Sequence, residues 1–341
     1  MKGKLRKLES LRGFAAVYVL VSHLQDVEYL NLGRFEGILK FGQEAVMVFF
    51  ILSGFVIHYS FQKSKDQTFK TYFKKRFLRI YIPLILVFIL SYILYIAFSK
   101  ITYHDIGTQL LGNLLMLQDS AITKPNVIVT PFLNNGPLWS LSYEWWFYML
   151  YFFVNRYFKD KAFFIVSTVA IISALTYIFY PFFVNRILMY MIIWWGGVEL
   201  AELYINDKKI TLFNLKHILL VMLIYLVTMG INWYVHYTPE FKSVTHPFIE
   251  FRHIAFAIIA IFAAIIWKRI HWWGFDNTIG LFTFIAPISY TIYISHFSLI
   301  IYPDFIHPIV GVFICLFFSY IVEIVIYPKI ASVFLKRKVI K

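Results

Sequence analysis

Ten long, continuous apolar runs, most of them parted by short polar connections, dominate this sequence and leave few folds open to it. About 20 apolar residues in helical form cross a hydrocarbon layer about 30 Å thick. Runs of that kind fall at 9–26, 42–61, 77–98, 138–157, 162–180, 186–205, 213–233, 248–267, 279–302 and 306–328. They are unbroken rather than alternating in segments of about ten, so helices are expected and not a barrel. The expectation is an all-α, polytopic integral membrane bundle of about ten transmembrane helices. It forms one domain over 1–341, with no appended soluble domain. The long connection 99–137 carries a semi-apolar piece, Gln109–Leu117, read as interfacial or re-entrant rather than as an eleventh span.

Basic residues give the orientation. With the first residues cytoplasmic, roughly 23 fall in inner segments (the start, 62–79, 155–161, 206–216, 268–269 and 336–341) and roughly 7 outside. The outer set is Arg34, Lys40, Lys100, Lys124, Arg186, Lys242 and Arg252. This predicts both termini in the cytoplasm and a multi-pass protein of the inner (cytoplasmic) membrane. Composition agrees, since 15% of residues are charged where soluble domains carry about 25%. The net charge of +14 does not indicate nucleic acid, because the charges sit where they set topology. The single cysteine, Cys315, excludes an internal disulfide and leaves no cysteine cluster for a metal, so no metal is expected. The first residues superficially resemble a signal peptide. Gln25, Asp26 and Glu28 follow the run in place of a small-residue cleavage site, so it is read as a retained helix. Any chemistry must then take place between helices.

Ionisable side chains inside such runs cost about 2.5–3.5 kcal/mol or more at the centre, so each asks for a reason. Arg12 and His23 share the first run; eleven residues at about 100° each point them almost the same way, about 16 Å apart. Arg12 reads either as a snorkelling anchor or as part of a site, and His23 either as an interhelical hydrogen bonder or as a catalytic group. Glu144 lies about 9 Å from the outer end of the fourth run, behind Gly136-Pro137-Leu138-Trp139. It is either hydrated near the mouth or functional. His296 falls in the outer half of the ninth run. His23, Glu144 and His296 are therefore expected at one depth, and that convergence points to a site. Arg76 and Arg79 follow Lys74 and Lys75; topology alone explains them, or they form a phosphate clamp with planar donor forks.

Four motifs then occur in order over nearly the whole chain. The first is Leu8-Glu9-Ser10-Leu11-Arg12-Gly13-Phe14-Ala15-Ala16, ending in His23, and the second is Phe49-Phe50-Ile51-Leu52-Ser53-Gly54-Phe55. The third is Arg76-Phe77-Leu78-Arg79-Ile80-Tyr81 with Pro83. The fourth runs from Gly136 to Phe147, with Ser289-Tyr290, Tyr293 and His296 late in the chain. With these motifs the chain resembles the acyltransferase-3 family of membrane O-acyltransferases, of the carbohydrate O-acetyltransferase type. Glu9 stands where that family usually has Asp, Ala45 and Met47 where it often has Gly and a polar residue, and Trp145 where a second acid often follows Glu144.

The resemblance implies transfer of an acyl group, most simply acetyl, from acetyl-CoA or another acyl-CoA to a hydroxyl of a cell-surface or exported glycan or lipid-linked saccharide. Acyl-CoA is then a co-substrate, with no permanently bound cofactor. Arg12, Arg76 and Arg79 would bind the donor's anionic end. His23 would act as general base, with Glu144 and Arg12 in the catalytic group; an imidazole titrates near neutrality and suits both halves of a proton transfer. His296, Tyr143, Trp139 and Ser53 would bind acceptor or support the oxyanion. Aromatic residues near an interface also serve as membrane belts. The rival readings are a carrier or flippase for a lipid-linked saccharide, and a non-catalytic partner of a glycan assembly complex.

Overall fold

The computed structural model describes residues 2–26, 36–98, 105–237, 244–301 and 306–335. Arg34, Lys100, Lys242 and the basic segment 336–341 lie outside the described residues. In chain order the helices are α1 (Lys2–Asp26), α2 (Glu36–Leu39), α3 (Gly42–Gln62), α4 (Phe69–Phe98), α5 (Ile106–Leu114), α6 (Trp139–Phe158), α7 (Ala162–Phe179), α8 (Phe183–Ile205), α9 (Lys216–Val235), α10 (Phe248–Arg269), α11 (Ser289–His296), α12 (Pro308–Tyr320) and α13 (Tyr327–Leu335). No strand occurs among the described residues.

Seven stretches are long and apolar enough to cross a membrane: Gly42–Gln62, Phe69–Phe98, Gly136–Phe179, Phe183–Ile205, Lys216–Val235, Phe248–Arg269 and Pro308–Leu335. The expected ten exceed these by three, for physical reasons. α6 and α7 both fall in the 44-residue stretch Gly136–Phe179, which breaks at Lys159, where φ is 42°. α1 carries the charges of its first half. The ninth run is not one helix: it begins as 3-10 turns at Ile279–Phe284 and Ala286–Ile288, and the apolar helical part, Ala286–Ile301, is shorter than a span. α5, at about 14 Å, is too short to cross, so the 99–137 connection holds a short helix rather than a further span.

α4 starts eight residues before the expected 77. Asp66 organises that start by accepting hydrogen bonds from the Thr68 amide (3.0 Å) and from the Thr68 and Thr71 hydroxyls (2.8 and 2.7 Å). Pro83 removes one backbone bond inside α4, and the Ile80 carbonyl beside that gap accepts from Tyr290 of α11 at 3.1 Å.

Burial separates the centre of the bundle from its lipid-facing rim. Of the apolar windows, 72% is buried in α3 and 67% in α8, against 28–39% in the other five. α3 and α8 pack backbone to backbone: a Cβ on Gly54 would lie 2.0 Å from the Trp194 carbonyl oxygen, so only glycine permits the approach. Two π-helical turns interrupt the late helices, Phe297–Ile301 directly after His296 and Ile321–Ile326 around Glu323. Such turns re-aim side chains and recur at functional sites.

Candidate functional site

The first half of α1 lies against the 279–284 turns, where Ser10 and Thr283 hydroxyls meet at 2.5 Å. A Cβ on Gly13 would stand 2.2 Å from the Phe282 carbonyl oxygen, which explains glycine next to Arg12. That approach places Arg12 at a cavity of about 200 Å³ between α1, α3, α4, α6 and α11, lined among others by Ser53, Arg76, Arg79, Glu144, Tyr148, Tyr290 and Tyr293. Glu144 accepts from Ser53 (2.6 Å) and from the Tyr148 hydroxyl. Ser53 also receives the Trp194 indole N–H at 3.3 Å.

The three arginines differ. Arg79 is ion-paired with Glu323, whose other oxygen accepts from Thr291 at 2.9 Å. Its guanidinium also lies over the Tyr290 and Tyr327 rings, 5.3 and 5.2 Å from their centroids. Arg12 makes no hydrogen bond or ion pair with a described residue, although it lies within electrostatic reach of Glu144 and Tyr148. Arg76 has a buried Nε without a hydrogen-bond partner among the described residues. Among the described residues neither of these two guanidiniums has a carboxylate partner, and only Glu144 lines the cavity with negative charge.

At the other end of α1, His23 stacks on His296, ring centroids 5.3 Å apart and planes 28° apart, with Phe297 edge-on at 5.5 Å. His296 Nδ1 lies 3.1 Å from the Ile292 carbonyl. That acceptor assigns the N–H to Nδ1 and leaves Nε2 with its lone pair. Nε2 is buried and has no hydrogen-bond partner among the described residues. Ser22 donates to the Leu39 carbonyl (2.6 Å) and holds this end of α1 to the chain entering α3. His23 opens onto a second cavity of about 300 Å³, lined by Ser22, Lys40, Gln43, Glu44, Ile249 and Arg252 among others.

The structure brings His23 and His296 together and sets Glu144 apart, which corrects the shared depth. Asn135 Nδ2 donates to the Ile294 carbonyl (2.7 Å), and the Ser140 and Tyr293 hydroxyls meet at 2.8 Å, so α6 and α11 run antiparallel. From the Ser140–Tyr293 level, His296 is three residues one way and Glu144 four residues the other. That separates them by about 10 Å along the bundle. Glu144 therefore belongs to the Arg12 cavity. Tyr293 connects the two regions: it lines the Arg12 cavity, and its ring lies 6.2 Å from His296.

Trp139 and Tyr143 line neither cavity. Tyr143 donates to Asp119 at 2.7 Å, and the Trp139 ring is capped by the Lys124 ammonium, 3.5 Å from its centroid, and stacked on His253 at 5.9 Å. Asp119 also pairs with Lys124 (3.0 Å) and Arg186 (2.9 Å), all three fully buried. Lys124 and Arg186, expected as outer-surface charges, are instead the core of a network that ties the 115–135 connection to α6 and α8. Beside the two cavities, the carboxylates that sequence reasoning missed are Glu44, which lines the second, and Glu323, which pairs with Arg79 of the first. Each is an acid inside an apolar run, which is the signal that singled out Glu144.

The acyltransferase domain that defines the acyltransferase-3 family matches residues 5–328. The chain is also 31% identical over 154 residues to acyltransferase MdmB of Streptomyces mycarofaciens; the match covers 43% of this chain and 38% of that protein. The chain thus spans well under two thirds of that relative's length. No solved structure matches. By the domain that extends over nearly its whole length, the chain belongs to the acyltransferase-3 family.

Proposed function

We propose that this protein transfers an acyl group, acetyl in the simplest case, from acyl-CoA to a hydroxyl of a cell-surface or exported glycan or of a lipid-linked saccharide, within the inner membrane. One observation supports the reading above the others. A cavity with two guanidiniums that are unpaired among the described residues, Arg12 and Arg76, is joined through Tyr293 to a stacked pair of imidazoles that opens onto a second cavity. Unpaired arginines suit the phosphates of a coenzyme A donor. A thioester arm then runs from that cavity past Tyr293 towards His23.

In the transfer, His23 takes the proton of the acceptor hydroxyl as its oxygen attacks the thioester carbon. The C–O bond forms, the C–S bond breaks, and the coenzyme A thiolate leaves and is protonated from the imidazolium. Products are an ester and free coenzyme A, with no redox change. His296, with Nε2 unspent, supports the reacting groups beside His23. Ser53 and Glu144 form the polar wall of the donor cavity. Arg79 holds its place through Glu323 and contributes positive potential.

Mass spectrometry of surface glycans from cells with and without the protein tests this. Glycans carrying one additional acyl mass per modified residue are expected only with the intact protein and not with His23→Ala. Equal acylation in all three cultures would refute the reading.

A further inference from the structure

We infer that the second cavity holds a saccharide subsite in which Glu44, clamped by Arg252, accepts hydrogen bonds from hydroxyls neighbouring the one that is acylated. The inference rests on the proposed acyl transfer and deepens it. Glu44 stands at the start of α3, and its side chain is 2% exposed. One oxygen lies 2.5 Å from Arg252 Nη2, an ion pair that bridges α3 and α10. Oε2 has no hydrogen-bond partner among the described residues. Arg252 is anchored in turn on the Lys40 carbonyl at 3.3 Å. Glu44, Arg252 and Lys40 line the same cavity as His23.

A buried carboxylate with unspent lone pairs is costly unless donors reach it. An ionised carboxylate only accepts and a guanidinium only donates, whereas a hydroxyl does both. A sugar with adjacent hydroxyls satisfies such a pair twice, giving O–H to Glu44 and receiving N–H from Arg252 or Lys40. With two cations to one carboxylate, the cavity disfavours an ammonium group and favours a neutral or anionic saccharide. His23 at the cavity wall then meets the hydroxyl that is not held. The competing role, a purely structural α3–α10 ion pair, would be indifferent to which helix carries which charge.

The test uses full-length protein in membranes of cells lacking the native copy, with Glu44→Ala, Glu44→Gln and the exchange Glu44→Arg with Arg252→Glu. Labelled acetyl-CoA binding reports the donor cavity, and glycan prepared from the lacking cells serves as acceptor. Glu44→Ala is expected to raise the KM for that glycan about tenfold or more, with acetyl-CoA binding unchanged. The exchange is expected to stay as impaired as Glu44→Ala. Where Glu44→Ala fails to accumulate, the near-isosteric Glu44→Gln carries the same comparison. Unchanged acceptor KM in the variants, or rescue by the exchange, overturns the subsite while acyl transfer stands. Absence of acyl transfer by the unaltered protein, with acetyl-CoA unbound, removes the reading beneath it and the subsite too.

Discussion

Two places in the bundle gather charge and treat it differently. Around Asp119 the charges pair with one another, with Arg186 Nη2 left without a partner among the described residues. The carboxylate accepts from Lys124, Arg186, Tyr143 and the Ser120 amide; Arg186 also donates to the Pro125 carbonyl and to Tyr177, whose hydroxyl donates to Glu250. At the Arg12 cavity they are left open, with Arg12 unpaired among the described residues and Arg76 Nε without a partner. Desolvation weighs most on the fully buried Asp119 group and less on the half-buried charges of the cavity. A closed network stabilises the fold without any ligand, whereas an open one keeps its cost until something binds. The contrast separates polar residues that build this protein from those that act.

His23→Ala is the strongest way to break that division. Loss of the base is expected to cut acyl transfer by about 10²–10⁴-fold, with thermal stability in detergent unchanged. A stability loss of several kcal/mol would place the stacked imidazoles with the structural charges instead. Next comes Asp119→Asn, which strands Lys124 and Arg186 in a fully buried site. It is expected to cost about 3–5 kcal/mol of stability, read as a lower unfolding temperature, while the surviving folded protein binds acetyl-CoA normally.

The arginines sharpen the contrast within one cavity. Arg76→Ala is expected to weaken acyl-CoA binding about tenfold without changing unfolding. Arg79→Ala leaves Glu323, 2% exposed, without its ion-pair partner. It is therefore expected to lower stability as well, by about 3 kcal/mol at most given Arg79's own partial exposure. Donor-binding isotherms and melting curves on the same preparations separate the two. Identical behaviour would mean that the Glu323 pair adds nothing.

Much of this was legible because membrane spans announce themselves by length, and because an arginine and a histidine on one helix have a fixed phase. Helix boundaries such as Gly42–Gln62 and Phe248–Arg269 follow the apolar runs closely. Depth was less legible. Counting inward from a run's end puts Glu144 level with His296, but the antiparallel pairing of Ser140 with Tyr293 fixes the register, and no run length encodes that pairing. The fate of Lys124 and Arg186 was hidden for a related reason. A basic residue in an outer connection looks the same in sequence whether it meets water or folds back onto Asp119. Glu44 and Glu323 were readable as acids inside apolar runs, and their partners Arg252 and Arg79 were not, since each pair joins distant parts of the chain.

The smallest effect tests the closed network by pH. Burial alone would push the Asp119 carboxyl up; Lys124 and Arg186, with the Tyr143 hydroxyl, outweigh it and hold the group below its ordinary value of 3.8. Above that value the carboxyl is ionised in folded and unfolded chains alike, and the network contributes fully. As pH falls through it, the unfolded chain takes up a proton that the folded one refuses, so stability declines until the folded carboxyl also protonates. The unfolding temperature is therefore expected to drop between about pH 5 and pH 3. In Asp119→Asn, already less stable at neutral pH, the slope should be shallower, because the proton-binding group is gone. Equal slopes in the two proteins would mean that Asp119 is not held ionised by its neighbours, and that the network around it is less closed than its hydrogen bonds indicate.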